Sequence, residues 1–260
     1  MKLVVIGGTG LIGRPLVALL QDWGHHVVAA SPSTGVDAVT GVGLTDAMAG
    51  AWVVIDVSNA PSFADDAVLG FFRTGTANVI AAAREAGVAH VVALSVVGTD
   101  RLQASGYFRA KLEQERLVAS SGLPFTLVRA TQFFEFLATI ADGYTRKDGV
   151  HLPQLAFQPI AAADVSAMLA ELAIASPANG IVDVAGPERG SMAEFVASWL
   201  GARDDPRHIV VTAEKDYFGA TIDDDALVPG GEARIMPTRF DAWLHAVTPA
   251  ATAATAATAA

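Results

Sequence analysis

Residues 3–13 read Leu-Val-Val-Ile-Gly-Gly-Thr-Gly-Leu-Ile-Gly. Four apolar residues run straight into glycines, and Leu11, Ile12, Leu16, Val17 and Leu20 then recur at helical spacing until Gly24 stops the pattern. This is a buried strand, a tight turn and a helix. Gly7, Gly10 and Gly13 stand three residues apart. Glycines there permit the turn and let backbone N–H groups approach a pyrophosphate at the helix N-terminus. The turn residues Gly7, Thr9, Gly10, Leu11, Ile12 and Gly13, with Arg14 just after them, are the candidate cofactor contacts.

Outward from this stretch, apolar runs and helical patterns alternate. Strands are expected at His25–Ala30, near Ala38–Val39, and at Trp52–Val57, His90–Ser95, Phe125–Arg129 and Ile181–Ala185. Helices are expected near Thr45–Met48, at roughly Ala64–Ala86, Tyr107–Ser120 and Val165–Ile174 (with Asp164 as N-cap), from the capping box Ser191-Met-Ala-Glu194 to Leu200, and at Arg239–Val247. Apolar strands separated by helices predict an α/β protein: a Rossmann-type, doubly wound parallel sheet covered on both faces. Residues 1–150 are read as the dinucleotide-binding domain. Residues 151–250 are read as a small C-terminal substrate-binding portion on the same unit, and the Ala/Thr repeat 251–260 as a disordered tail. Residues 203–237, rich in Asp, Gly and Pro, read as loop.

Composition narrows the function. The 260 residues hold 17 Lys plus Arg against 27 Asp plus Glu, a net charge of −10, 52% hydrophobic residues and no cysteine. The apolar fraction excludes a disordered chain, and the absence of Cys excludes thiol chemistry and Cys-ligated metals. The acidic balance argues against nucleic acid as a partner. No segment reaches about 18 apolar residues, so no membrane span is expected, and a cytoplasmic protein acting on a small molecule is. The oligomeric state stays open, a homo-oligomer included. His25 and His26 point to opposite faces of one strand, and the other histidines lack ligand spacing, so no metal site is expected.

The strand ending at Ala30 leads to Ser31-Pro-Ser33. An acidic residue there would hold a ribose 2′-hydroxyl. Its absence, with Ser31, Ser33 and nearby Arg14 as donors, favours NADP(H) and leaves NAD(H) as the other cofactor. Tyr107 and Lys111 lie at i and i+4, on one helix face. A neighbouring ammonium is expected to lower the Tyr pKa toward a useful acid/base range. Ser95, at a strand end, is placed to hydrogen-bond a substrate carbonyl. The chain has four lysines, Lys2, Lys111, Lys147 and Lys215, so the pairing is not one of many. Phe133 and Phe136, after the strand Phe125–Arg129, are expected to line an apolar substrate cleft. Arg129 is read as buried and paired with a carboxylate.

The glycine loop with Ser95, Tyr107 and Lys111 resembles the short-chain dehydrogenase/reductase superfamily. The loop Gly7–Gly13, the stretch Ala77–Val88 and the run Val128-Arg-Ala-Thr-Gln-Phe-Phe134 are similar to its atypical, NmrA-like NAD(P)H-binding branch, over about residues 1–200. The resemblance implies that Val57, Ser58 and Asn59 line the cofactor and that Ala130, Thr131 and Gln132 border the nicotinamide. It also implies an Asn that relays protons to the Lys; Phe72 stands at that position here. The expected function is an NAD(P)-dependent oxidoreductase, NADPH favoured, reducing a carbonyl or related group of a small apolar molecule through Ser95, Tyr107 and Lys111. The alternative is an NmrA-like dinucleotide-sensing regulator without turnover; such proteins typically lack the Tyr. A nucleotide-sugar epimerase is disfavoured because the C-terminal part lacks a basic diphosphate cluster.

Overall fold

The computed structural model describes residues 1–248; the Ala/Thr segment 251–260 lies outside the described residues. Seven strands form one parallel sheet: β1 (Lys2–Ile6), β2 (His26–Ala30), β3 (Val53–Asp56), β4 (His90–Val96), β5 (Phe125–Ala130), β6 (Gly180–Ala185) and β7 (Arg234–Ile235). Their spatial order is β7-β6-β5-β4-β3-β1-β2. After β1 the chain turns one way to β2 and then crosses to β3 on the other side. The strand order therefore reverses between β1 and β3, the point where such sheets open a ligand crevice.

Period-two alternation sends β1 side chains to both faces. Leu3 and Val5 pack with Leu16 and Leu20 of helix α1 (Gly13–Asp22) and with Val165 and Leu169 of helix α6 (Ala162–Ile174). Val4 and Ile6 pack on the opposite face, with Met48 of helix α2 (Leu44–Met48) and with Val79 and Ala83 of helix α3 (Asp65–Glu85). Helix α4 (Gly106–Ala119) lies beside α3. The predicted α/β architecture is the one formed.

Three local expectations are corrected. Residues 38–39 make a turn instead of a strand, because Asp37 Oδ1 accepts from the amides of Val39 and Thr40 at 2.8 and 3.3 Å. Asp164 is not the N-cap of α6, which is Ala161. Its carboxylate instead accepts from the amide and hydroxyl of Thr238, tying β7's far end to the helix. Segment 203–237 is not all loop: Ile209–Thr212 pairs in parallel with Gly149–Pro153, Asp216–Tyr217 pairs with Ala220–Thr221, and Arg234–Ile235 is β7 itself. The sheet continues beyond residue 150 with β6 and β7, which follow α6. The capping box is present: Ser191 Oγ accepts from Glu194 N, and Ser191 N donates to Glu194 Oε2.

The remaining C-terminal residues build a separate apolar cluster. It centres on Phe134, helix α5 (Leu137–Gly143), Phe157, helix α7 (Met192–Gly201) and Phe240 of helix α8 (Phe240–Val247). It covers the carboxyl end of the sheet and so closes one side of the crevice.

Beneath the crevice, Arg129 of β5 donates to both oxygens of Glu115 of α4, at 2.9 and 2.7 Å, and to Asp100 at 3.1 Å. The Arg129 and Glu115 side chains are 11% and 5% exposed. Removing one partner of a buried pair strands the other charge, at a cost of roughly 3–5 kcal/mol. Glu115→Ala should lower unfolding stability by about that amount, read by urea denaturation; a loss below about 1 kcal/mol, the range of an exposed pair, would show that solvent screens it.

Candidate cofactor and substrate cleft

A cleft of about 1070 Å³ runs along the carboxyl ends of β1 to β5. Its floor is the glycine turn. Gly7 has φ +81°, and a Cβ there would stand 2.9 Å from the Ser58 backbone. A Cβ on Gly13 would stand 2.1 Å from the Gly7 carbonyl oxygen. These two glycines are required by the protein's own packing. Gly10 is different, because a Cβ on it would meet only that same oxygen, at 3.3 Å. That contact is tight, but it is not the clash that Gly7 and Gly13 would suffer. Helix α1 begins there with no side-chain cap and no acidic residue in its first turn, an end whose amides and dipole favour an anion.

Each predicted residue can now be placed. Thr9, Gly10, Leu11 and Ile12 line the cleft, while Arg14 Nε is turned back onto Thr9 O at 2.7 Å. Ser31 lines the end of β2, where its hydroxyl and that of Ser33 lie 2.9 Å apart. Val57, Ser58 and Asn59 follow β3, with Ser58 Oγ donating to Asp56 Oδ1 at 2.6 Å. Ala130, Thr131, Gln132, Phe133 and Phe136 line the far end. Thr131 Oγ1 and both amide atoms of Gln132 are buried without a hydrogen-bond partner among the described residues. Orphaned buried polar atoms cost free energy unless something fills them. With the bare Gly10 and the open end of α1, they form a polar track that fits a dinucleotide.

Tyr107, Lys111 and Ser95 all border the cleft, but they do not act on one another as expected. The Lys111 ammonium, 3% exposed, donates to Leu94 O at 2.7 Å and to Gln114 Oε1, and lies 4.4 Å above the Phe72 ring. Gln114 Nε2 in turn donates to Asp56 Oδ2 at 3.0 Å. Burial pulls Lys111 down to about 8, against the attraction of Asp56 and Glu115. Tyr107 is ringed by Phe63, Phe72 and Phe108 at centroid distances of 5.5, 6.1 and 5.6 Å. Burial pushes its hydroxyl up to about 12, the opposite of the expected lowering. The ammonium is drawn to a carbonyl and an amide instead of the phenol, so desolvation decides. Ser95, 2% exposed, donates its proton to Glu115 Oε1 at 2.5 Å. A hydroxyl has one proton, so this Ser has none left for a substrate carbonyl.

Sequence reasoning missed Asp56, Gln114 and Glu115, which anchor these side chains, and Phe63, Tyr217 and Phe218, which close the cleft. Asp56 carried a signal, as a carboxylate ending an apolar strand.

Fold and cleft define a dinucleotide-binding α/β protein. A family model described as NAD(P)H-binding matches residues 7–175, and the chain belongs to that family. This bears out the NAD(P)H-binding family that the sequence resemblance implied. The chain is 32% identical to a (4-alkanoyl-5-oxo-2,5-dihydrofuran-3-yl)methyl phosphate reductase of Streptomyces griseus, over 62% of this chain and 58% of that protein. It thus spans somewhat over half of that relative. It is 30% identical to a 3-diazoavenalumate denitrifying reductase of a Streptomyces species, over 78% and 82%. Its fold is shared with a dTDP-4-dehydrorhamnose reductase of Clostridium acetobutylicum, with a TM-score of 0.71 and 15% identity, over 94% of this chain and 98% of that one. Among the described residues no helix is long and apolar enough to cross a membrane.

Two outcomes follow from this geometry. Gly10→Ala should fold normally and weaken dinucleotide binding by at least about tenfold, whereas Gly13→Ala should lose about 2 kcal/mol or more of stability by overpacking; calorimetry and urea melts separate the two, and equal stability losses would refute the distinction. Lys111, at about 8 instead of its ordinary 10.5, binds fewer protons folded than unfolded between those pH values. Its burial penalty, roughly 3 kcal/mol at neutral pH, is therefore relieved as pH rises from about 8 to 10.5. Lys111→Met should remove that rise in stability; a variant that tracks the wild type across this window would contradict it.

Proposed function

We propose that the protein is an NAD(P)-dependent oxidoreductase that reduces a carbonyl or related group on a small, uncharged, apolar molecule, with NADP(H) preferred over NAD(H). The observation that carries the reading is the cleft itself. A polar track suited to a dinucleotide runs into an aromatic chamber where Tyr107 stands with a protonated hydroxyl. The two relatives named as reductases support the same reaction class.

Bound in the track, NAD(P)H would supply a hydride to the substrate carbon. The chain's own residues do the rest. Gly7 to Gly13 and the start of α1 hold the pyrophosphate, and Ser31 and Ser33, with Arg14 close by, offer donors at the end of β2, where the Asp37 carboxylate is engaged by the amides of Val39 and Thr40. Val57, Ser58 and Asn59 line the middle of the track, while Ala130, Thr131 and Gln132 offer polar partners at the nicotinamide end. Lys111 spends two of its three N–H groups on Leu94 and Gln114 and keeps one for ribose hydroxyls. Tyr107 gives its proton to the substrate oxygen and regains one from solvent. A phenol held near 12 is an acid throughout the neutral range, which suits carbonyl reduction over alcohol oxidation. Phe133 and Phe136 form part of the substrate's apolar wall. Lys111 is the one cation among the described lining residues, so a phosphate ester such as the first relative's named substrate has no counter-charge here.

The regulatory reading, cofactor binding without turnover, draws on the NmrA-like similarity, but a free Tyr hydroxyl in the chamber favours chemistry. The test is NADPH and NADH titration of wild type and Tyr107→Phe, with NADPH oxidation followed across a carbonyl panel. The variant should bind NADPH within about twofold of wild type and lose at least about 100-fold in turnover. Undiminished turnover in Tyr107→Phe defeats the assignment, equal affinity for both cofactors removes the NADP preference, and tight binding with no oxidation by wild type supports the regulator.

A further inference from the structure

The chamber contains a second tyrosine that the sequence places in an apparent loop. The hairpin Asp216–Tyr217 and Ala220–Thr221 turns through Phe218 and Gly219, both at positive φ, +49° and +84°. A two-residue turn of this kind favours Asn or Gly at its first central position. A bulky Phe there is strained, and such strain persists only where surroundings impose it. They do so here. Phe218 N donates to Tyr144 Oη at 2.8 Å, Tyr144 Oη donates to Asp216 O at 3.0 Å, and the Phe218 ring packs on Phe136 and Tyr144. The next segment is clamped to the loop after β4, with Arg101 donating to Asp225 O and Val228 O at 3.1 and 2.7 Å.

The strained hairpin delivers Tyr217 into the cleft. Its ring is 6% exposed and sits 6.4 Å from Phe108, which in turn lies 5.6 Å from Tyr107. Unlike that of Tyr144, its hydroxyl has no hydrogen-bond partner among the described residues. Burial raises its pKa above the ordinary phenol value, and charge on Tyr144 or Tyr107 would raise it further, as expected of hydroxyls sharing one chamber. Both tyrosines stay protonated near neutral pH, and both have a proton to give.

We propose that Tyr217 is a catalytic residue: its hydroxyl donates a hydrogen bond to the substrate oxygen beside Tyr107, the task for which Ser95 has no free proton. The inference rests on the reductase reading for its chemistry. Tyr107 transfers the proton that balances the hydride, and Tyr217 keeps its own while stabilising the developing charge on oxygen.

The test compares Tyr217→Phe, which keeps the ring, with Ser95→Ala and wild type. In NADPH-dependent reduction of a carbonyl substrate, Tyr217→Phe should lose about 100-fold in kcat/KM with NADPH affinity unchanged. Without cofactor, p-nitrophenol serves as a mimic of the charged oxygen, and Tyr217→Phe should bind it about tenfold more weakly, the loss of one hydrogen bond. The proposal is overturned if Tyr217→Phe matches wild type in both measurements, or if Ser95→Ala loses more than Tyr217→Phe in both. Should wild type oxidise no NADPH with any carbonyl, the reductase reading fails, and the p-nitrophenol comparison alone decides whether Tyr217 holds an oxyanion.

Discussion

The contact between Gly13 and the Gly7 carbonyl oxygen sets the position of everything above the sheet. With no Cβ between them, the first turn of α1 rests directly on the end of β1. Gly7 presses against the Ser58 backbone in the same way, so the ends of β1 and β3 and the start of α1 meet at one point. That point is where the strand order reverses. A side chain at either glycine would wedge the helix away from the sheet and close the space in which a pyrophosphate can lie. Gly10 faces a weaker demand, since a Cβ there would stand 3.3 Å from the same oxygen, so the three glycines differ in how far the fold itself requires them.

The helix that carries Tyr107 and Lys111 is bound to the sheet by polar groups with little water around them. Glu115 collects Arg129 and Ser95, and Lys111 collects Leu94 O and Gln114, which reaches Asp56. Charged and polar groups in a low-dielectric setting must be satisfied, so each is spent on holding α4 in place. The consequence reaches the chemistry. Ser95 and most of Lys111 become structural, and the groups free to meet a substrate are those framed by aromatic rings. Phe72, at the position where the family resemblance implies a proton-relaying Asn, lies beneath the ammonium instead of opening a water path to it.

The sheet was legible in the sequence because its signals are local. An apolar run ending in glycine, or a helix stopped by Gly24 or Gly87, needs no distant partner to be read. The glycine turn and the polar residues lining the track were legible for the same reason. What escaped depended on long-range contacts. Asp37 forms a turn where two apolar neighbours suggested a strand, because its carboxylate captures two amides. Asp164 looked like a cap and serves Thr238, 74 residues away. The direction of the Tyr107 shift was misread because spacing says that two side chains share a face, not that one of them bends toward a carbonyl. The hairpin at 216–221 was hidden most completely, since Phe218 occupies a turn position that sequence statistics give to other residues.

Charge completes the account of what the cleft accepts. The chain is acidic overall, and Lys111 is the one cation among the described cleft-lining residues, against Asp37, Asp65 and Glu135. A dinucleotide can still bind, because backbone amides and a helix dipole supply fixed partial positive charge without a basic side chain. They do so at one end of the cleft, at the glycine turn. At the aromatic end Phe63, Tyr107, Phe136, Tyr217 and Phe218 present rings and two phenol hydroxyls, beside the unpaired side chains of Thr131 and Gln132. The fixed positive polarity of the cleft therefore lies at the glycine turn, while the C-terminal hairpin gives the other end its rings.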